Sequence, residues 1–152
     1  METLQMIQSR KAIREFSGQI TDDQLQTILK AGNAGAVGMS KFENYRIIAV
    51  QKPAILSTLT GIHGAPTLII VAATATTPLE GVSAGVIVHN MELAAEDLGL
   101  GANYNFASLG TLPADLLPAG FKPLIALTVG QTTATFTPRD LPDDRIQKEI
   151  IK

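Results

Sequence analysis

The chain has 152 residues, of which 45% are hydrophobic and 17% are charged, and its formal net charge at pH 7 is −2. A charge so near zero argues against a nucleic-acid-binding surface, no apolar run is long enough for a membrane span, and no basic-then-apolar signal peptide opens the chain. The lack of cysteine excludes disulfides, thiolate metal sites and thiol catalysis. We therefore expect one cytoplasmic domain over residues 1–152 that buries part of its apolar surface against a partner subunit.

A short amphipathic run at residues 4–7 leads into a basic stretch, residues 9–17. This stretch carries the positive charges of Arg10, Lys11 and Arg14. Arg10 and Arg14 are spaced i, i+4, so a helical or turning backbone would point both guanidinium groups the same way. Paired planar forks suit a phosphate dianion or a developing negative charge on a ligand. The alternative interpretation is a solvated helix end.

The rest of the chain alternates predicted helices and strands, which favours a layered α and β architecture. The first helix has Thr21 as its N-cap, acidic residues in its first turn and Gly32 at its end. The later elements are a strand at 45–50, a short helix at 54–59, a strand at 67–73, a long helix at 83–98, a strand at 124–129 and a final helix at 143–151.

Some titratable side chains invite a mechanism, but we interpret them as structural. Glu92, Glu96 and Asp97 are interpreted as the solvated face of the long helix. His63 in a glycine-rich turn and His89 inside the apolar helix lack a carboxylate at ligand spacing, which predicts a turn residue and a core residue and no metal site. No metalloprotease, P-loop or nucleophile-elbow motif is present.

Four segments follow one another over most of the chain: the basic residues 10–17, the helix ending at Ala31-Gly32, the loop 33–41 and the sequence NMELAAEDLGLG at 90–101. This order resembles the nitroreductase-like family of FMN enzymes, of which the chain would be a short and divergent member. The resemblance implies an α+β nitroreductase-like fold with a central mixed sheet, helices on both faces, and an intertwined homodimer with FMN at the subunit interface. It also implies an oxidoreductase in which NAD(P)H reduces the flavin and leaves, and a nitroaromatic or quinone acceptor then enters by a ping-pong mechanism.

The resemblance implies a cofactor site in which the flavin, and no side chain, carries the chemistry. Arg10 would bind the phosphate, Arg139 would close over it from the tail, and Arg14 would face the N1 and O2 atoms of the ring. The backbone of residues 105–110 would lie near N5. The predicted cofactor-binding residues are Arg10, Lys11, Ala12, Arg14, Ser40, Lys41, Ser108, Leu109, Gly110 and Arg139. The alternatives are a surface arginine at 139 and a surface ion pair at Arg14.

The loop at 35–41 departs most from the family pattern. It lacks the proline, serine and tryptophan of that pattern, and Ser40 or Lys41 falls where an asparagine would reach the cofactor from the partner subunit. Ala12 replaces the usual phosphate-binding serine. These departures leave a second interpretation, a flavin-binding module without efficient turnover. A third is a structural dimer with no cofactor.

Overall fold

The computed structural model describes residues 2–152 as helices layered on a sheet. The helices are α1 (Thr3–Ser9), α2 (Asp22–Asn33), α3 (Pro53–Leu56) and α4 (Pro78–Asp97). The strands are β1 (Tyr45–Val50), β2 (Thr67–Ala73), β3 (Gly101–Asn105) and β4 (Lys122–Gly130). Short 3₁₀ helices lie at Gly38–Ser40, Phe42–Asn44 and Leu109–Thr111.

The strands form one sheet in the order β1-β2-β4-β3, and each pair of neighbours is antiparallel. The α+β class is confirmed, but the prediction of a mixed sheet is wrong for the part of the chain that the structure describes. The sheet is antiparallel because of the position of β4. The crossover through α4 joins two strands of the same direction, β2 and β3, but β4 lies between them and runs opposite to both.

The central strand β2 is buried along its whole length. Its alternate side chains face opposite sides of the sheet. Ile69 and Val71 join the core beneath α2 and α4, while Leu68 and Ile70 join a second core that α3 and loop residues such as Leu59 close. Long helices therefore cover one face of the sheet, and a short helix with loops covers the other, whereas helices were expected on both.

The helix α2 forms where the sequence predicts it because its first turn is capped in both directions. The Thr21 hydroxyl accepts from the Gln24 amide at 3.1 Å, and the Gln24 side chain accepts from the Thr21 amide at 2.9 Å. At its other end Gly32 lies close to α4, since a Cβ atom there would come within 2.8 Å of Met91 Cγ. The two helices thus approach closely enough to need a glycine.

Two helix predictions need correction. α4 begins at Pro78 and not at residue 83, because proline is favoured at the first helical position, where no amide donor is required. The segment 143–151 contains turns but no helix. Ile146 and Ile150 are 80% and 83% exposed, so no apolar face packs on the protein, and a helix this short is unstable alone. None of the helices within residues 2–152 combines the length and the apolar character needed to cross a membrane.

Candidate functional site

Arg10 and Glu92 form an ion pair at the place where α1 meets α4. The Arg10 Nη1 atom donates to Glu92 Oε1 at 2.7 Å, and the Glu92 side chain is only 2% exposed. Such charge-assisted hydrogen bonds are among the strongest in proteins. The interpretation of Glu92 and Glu96 as a solvated face is therefore wrong, because the end of α1 covers this side of α4 and leaves Glu96 only 5% exposed.

Arg10 and Arg14 do not share a helical face. α1 ends at Ser9, and the backbone from Arg10 onward is extended. The Ile13 amide donates to the Ala102 carbonyl at 2.9 Å, and the buried Ile13 side chain anchors the segment in the core. Arg14 is therefore directed elsewhere and lines a cavity of about 340 Å³ together with residues 132–134.

The two buried glutamates have unsatisfied oxygens. Glu92 Oε2 and both carboxyl oxygens of Glu96 have no hydrogen-bond partner among the described residues. Burial, and then the charge of Glu92, raise the pKa of Glu96 from 4.5 to about 7, while Arg10, Arg139 and Lys11 act in the opposite direction. Glu96 therefore changes its charge near neutral pH, which an exposed glutamate does not do.

Tyr104 on β3 and His89 on α4 complete the surroundings of Glu92. The Tyr104 hydroxyl lies 2.5 Å from His89 Nδ1, and the Arg10 guanidinium lies 5.9 Å from the centre of the Tyr104 ring. Burial, and then the nearby Glu92 carboxylate, raise the pKa of Tyr104 well above its usual range. The His89 side chain is 43% exposed and is not a core residue, whereas His63 lies in a turn, as predicted.

Arg139 returns to the end of α1 from the C-terminal tail. Its amide and its Nε atom both donate to the Gln8 carbonyl, at 3.2 and 2.9 Å. Lys11 lies beside the tail as well, with its Nζ atom 5.7 Å from the centre of the Phe136 ring. Arg10, Lys11 and Arg139 therefore lie where the end of α1 meets the tail, and all three act electrostatically on Glu96. We call these three residues the basic cluster.

Ser40 and Lys41 lie apart from the basic cluster in this chain. Both are exposed, and their loop is fastened to the first part of α4 by a hydrogen bond from the Gly38 amide to Ser83 Oγ at 3.0 Å. Glu92 lies roughly 14 Å further along the helix axis. The partly exposed Ala12 adds no hydrogen-bonding group to the cluster.

Ser108, Leu109 and Gly110 follow β3, beginning three residues after Asn105. Asn105 fixes this segment, because its Oδ1 accepts from the Ser108 amide at 3.0 Å and its Nδ2 donates to the Gly61 carbonyl at 2.7 Å. The Leu109 amide donates a hydrogen bond to the Phe106 carbonyl, so it is not free to bind a ligand.

This segment contains one buried hydroxyl without a partner in the described part of the chain and one glycine that is open to solvent. The Ser108 hydroxyl is buried without a partner among the described residues. Gly110 is open, since a side chain added there would meet no atom within 4 Å. Of the three predicted residues, Gly110 is thus the one where a flat ligand could approach the backbone closely.

The fold of the chain matches solved nitroreductase structures over nearly its whole length. No family model and no curated protein matches the sequence. A nitroreductase with bound FMN from Bacteroides fragilis is 23% identical, with a TM-score of 0.83 over 100% of both chains. The chain adopts the nitroreductase fold. The resemblance to the nitroreductase-like family is thereby confirmed for the architecture.

Two further nitroreductase-fold structures set the length of the chain in context. A proposed nitroreductase from Desulfovibrio desulfuricans, solved in complex with FMN, is 26% identical and has a TM-score of 0.79, with 98% of this chain and 97% of that chain covered. A nitroreductase from B. subtilis is 24% identical with the same TM-score, and the match covers 97% of this chain but 74% of that one. The chain is therefore short relative to some proteins of this fold and equal in length to others.

Proposed function

We propose that the protein is a homodimeric FMN-dependent oxidoreductase that uses NAD(P)H to reduce a small organic acceptor of the nitroaromatic or quinone class by a ping-pong mechanism. The observation that carries the proposal is the basic cluster, in a fold whose B. fragilis and D. desulfuricans examples were solved with FMN. The reductant and the acceptor class follow from the family resemblance. The cytoplasmic location and the single domain over residues 1–152 stay predictions.

The basic cluster is suited to the phosphate of FMN, which carries close to two negative charges at neutral pH. Arg10 and Lys11 come from the end of α1 and Arg139 from the tail, so a phosphate held between them would join two distant segments of the chain. Glu92 orients Arg10 by accepting from one of its nitrogens, and the remaining donors of the guanidinium stay available to an anion. The donor set therefore fits a phosphate.

The ring would lie toward Arg14 and Gly110. When bound, FMN supplies the hydride chemistry that no side chain of the protein can perform. Arg14 makes no ion pair with any residue in 2–152, so its charge is available to stabilise negative charge at the N1 end of the ring. Gly110 would bring backbone close to N5, and the buried Ser108 hydroxyl would gain a partner.

A second copy of the chain would cover the exposed apolar face of α4. Leu79, Val82 and Val86 are 48%, 69% and 38% exposed, and their spacing of three and four places them on one side of the helix. The loop with Ser40 and Lys41 adjoins this side, because a Cβ atom at Gly38 would lie 2.3 Å from Leu79 Cδ1. A dimer through α4 would thus carry this loop toward the partner's cofactor, as the family pattern requires.

The second candidate function is a flavin-binding module that NAD(P)H does not reduce. It is favoured by the loop at 35–41, which lacks the proline, serine and tryptophan of the family pattern, and by the absence of a hydroxyl at Ala12. Both candidates require bound FMN, so binding is tested first and reduction second.

FMN binding is measured by quenching of flavin fluorescence with wild-type protein and with the variants Arg10→Ala and Arg139→Ala. We expect each variant to weaken binding at least tenfold, since each removes a charge-assisted contact to the phosphate. Arg46→Ala is the matched control, because Arg46 lies on the opposite edge strand, over the Phe121 ring. An equal loss in all three variants, or no binding by the wild type, would contradict the proposal.

A further inference from the structure

Glu96 is the most unusual group in the basic cluster. It is 5% exposed, and neither of its carboxyl oxygens has a hydrogen-bond partner among the described residues. An ionised carboxylate in such a position is costly, because the protein replaces none of the hydrogen bonds that water would make. Its neighbour one helical turn away, Glu92, is already committed to Arg10. Glu96 therefore has surroundings in which its neutral form is much easier to accommodate than its charged form.

We propose that Glu96 takes up a proton when the basic cluster binds the phosphate group of the cofactor, so that cofactor binding and proton uptake are coupled. This inference rests on the function proposed above and adds to it the control of cofactor affinity. Glu96 is assigned as a positioning residue, since it acts through the charge of the cluster and makes no contact with the reacting atoms.

The coupling follows from the charges that surround Glu96. Arg10 and Lys11 act on it electrostatically from the end of α1, Arg139 from the tail, and Glu92 from α4. The three cations and Glu92 together leave the cluster with two positive charges when Glu96 is neutral, and with one when it is ionised. A phosphate dianion binds the first state more tightly, and it must by reciprocity favour the protonated form of Glu96.

The pH range of the effect is set by Glu96 and not by the phosphate. Burial raises the pKa of Glu96 to about 7 before any ligand is bound, whereas the second pKa of a phosphate monoester is about 6. Between pH 7.5 and 8.5 the phosphate is therefore already a dianion, and Glu96 is mostly ionised in the free protein. His89 Nδ1 lies 3.8 Å from Glu92 Oε2, so a variant that removes this imidazole is included as a control.

The coupling is tested by calorimetry of FMN binding to the full-length apo protein at pH 8 in two buffers with different heats of ionisation. We expect the wild type to take up close to one proton per FMN and its Kd to rise by up to about tenfold from pH 7.5 to 8.5. Glu96→Gln should take up almost none and show a flat Kd. Asp115→Asn, an exposed acid on the α3 side of the sheet, and His89→Asn should both retain the wild-type uptake.

The outcomes separate the two proposals. FMN binding without proton uptake by the wild type, or with equal uptake by Glu96→Gln, would overturn the role of Glu96 and leave the oxidoreductase proposal standing. A failure of the wild type to bind FMN anywhere between pH 6 and 9 would overturn both. The number of protons taken up by the wild type is measured without any variant, so this result tests the inference even if Glu96→Gln does not fold. His89→Asn then shows whether the proton goes to His89 instead of Glu96.

Discussion

At the scale of single residues, the proposed cofactor site depends on a balance between buried acids and partly exposed cations. Arg10 is held by a carboxylate that is almost wholly buried, and Glu96 is buried without any partner. Neither arrangement simply stabilises the folded state, because moving a charge out of water costs free energy that a nearby opposite charge only partly offsets. Both therefore have measurable consequences for stability.

Glu92→Gln should lower the free energy of unfolding by about 2 kcal/mol, because it replaces the charged partner of Arg10 with a neutral amide in a buried position. Urea denaturation at pH 7 measures the change, with the exposed Asp115→Asn as the control that should stay within about 0.5 kcal/mol of the wild type. An unchanged midpoint for Glu92→Gln would mean that the ion pair contributes nothing in solution.

The stability of the wild type should fall as the pH rises through the range in which Glu96 titrates. The native state holds the Glu96 proton up to about pH 7, whereas the unfolded chain releases it near 4.5, so ionisation increasingly favours unfolding between these values. Glu96→Gln removes this penalty. Its stability relative to the wild type should therefore improve by about 2 kcal/mol from pH 5 to pH 8.

Denaturation of wild type and Glu96→Gln at both pH values checks this prediction. Asp115→Asn serves again as the control, since an exposed acid should give the same difference from wild type at pH 5 and at pH 8. A difference between Glu96→Gln and wild type that does not change with pH would show that Glu96 titrates as an ordinary glutamate.

At the scale of secondary-structure elements, the contact between α2 and α4 fixes one layer of the fold. Gly32 is the closest point, because a Cβ atom would lie 2.8 Å from Met91 Cγ and 3.0 Å from Ile47 Cδ1. We expect Gly32→Ala to destabilise the protein by about 2 kcal/mol through overpacking. Gln26→Ala, on the exposed side of the same helix, should change the midpoint of thermal unfolding very little. Equal midpoints for both variants would contradict the close approach.

The elements that sequence patterns predict well are those whose signals are local. The capping box of Thr21 and Gln24 and the apolar run of β2 need no knowledge of the rest of the fold, and both elements form as predicted. The tail helix at 143–151 fails because its isoleucines find nothing within the chain to pack against. The order of the sheet depends on which strand β4 joins, which no local pattern reveals.

The site is predicted less completely than the fold, because it depends on contacts between segments that are far apart in the sequence. The sequence singles out Arg10, Lys11 and Arg139 as cations of one site, and the structure brings them together. The burial of Glu92 and Glu96 could not be predicted from their own helix, because it depends on the packing of α1 onto α4. A partial signal exists, since these two acids stand one turn apart on a helix that is apolar over most of its length.

At the scale of the whole molecule, the proposed function requires a second copy of the chain. Val82→Asp should dissociate the proposed dimer and weaken FMN binding, because it places a charge in the middle of the apolar face of α4. Light scattering after size-exclusion chromatography gives the mass. Ala54→Asp in α3, exposed on the opposite face of the sheet, is the control and should not change it. A monomeric wild type, or a dimer that survives Val82→Asp, would contradict this interface.

The central claim is that this nitroreductase-fold chain binds FMN and passes electrons through it from NAD(P)H to an organic acceptor. The most direct measurement is the visible absorption spectrum of the FMN-loaded protein during anaerobic titration with NADH and with NADPH. We expect the band of the bound flavin to bleach with one or both nucleotides and to return when a quinone or nitroaromatic acceptor is added. A bound band that neither nucleotide bleaches would contradict the oxidoreductase assignment in favour of the flavin-binding module, and no bound band at all would contradict the FMN assignment itself.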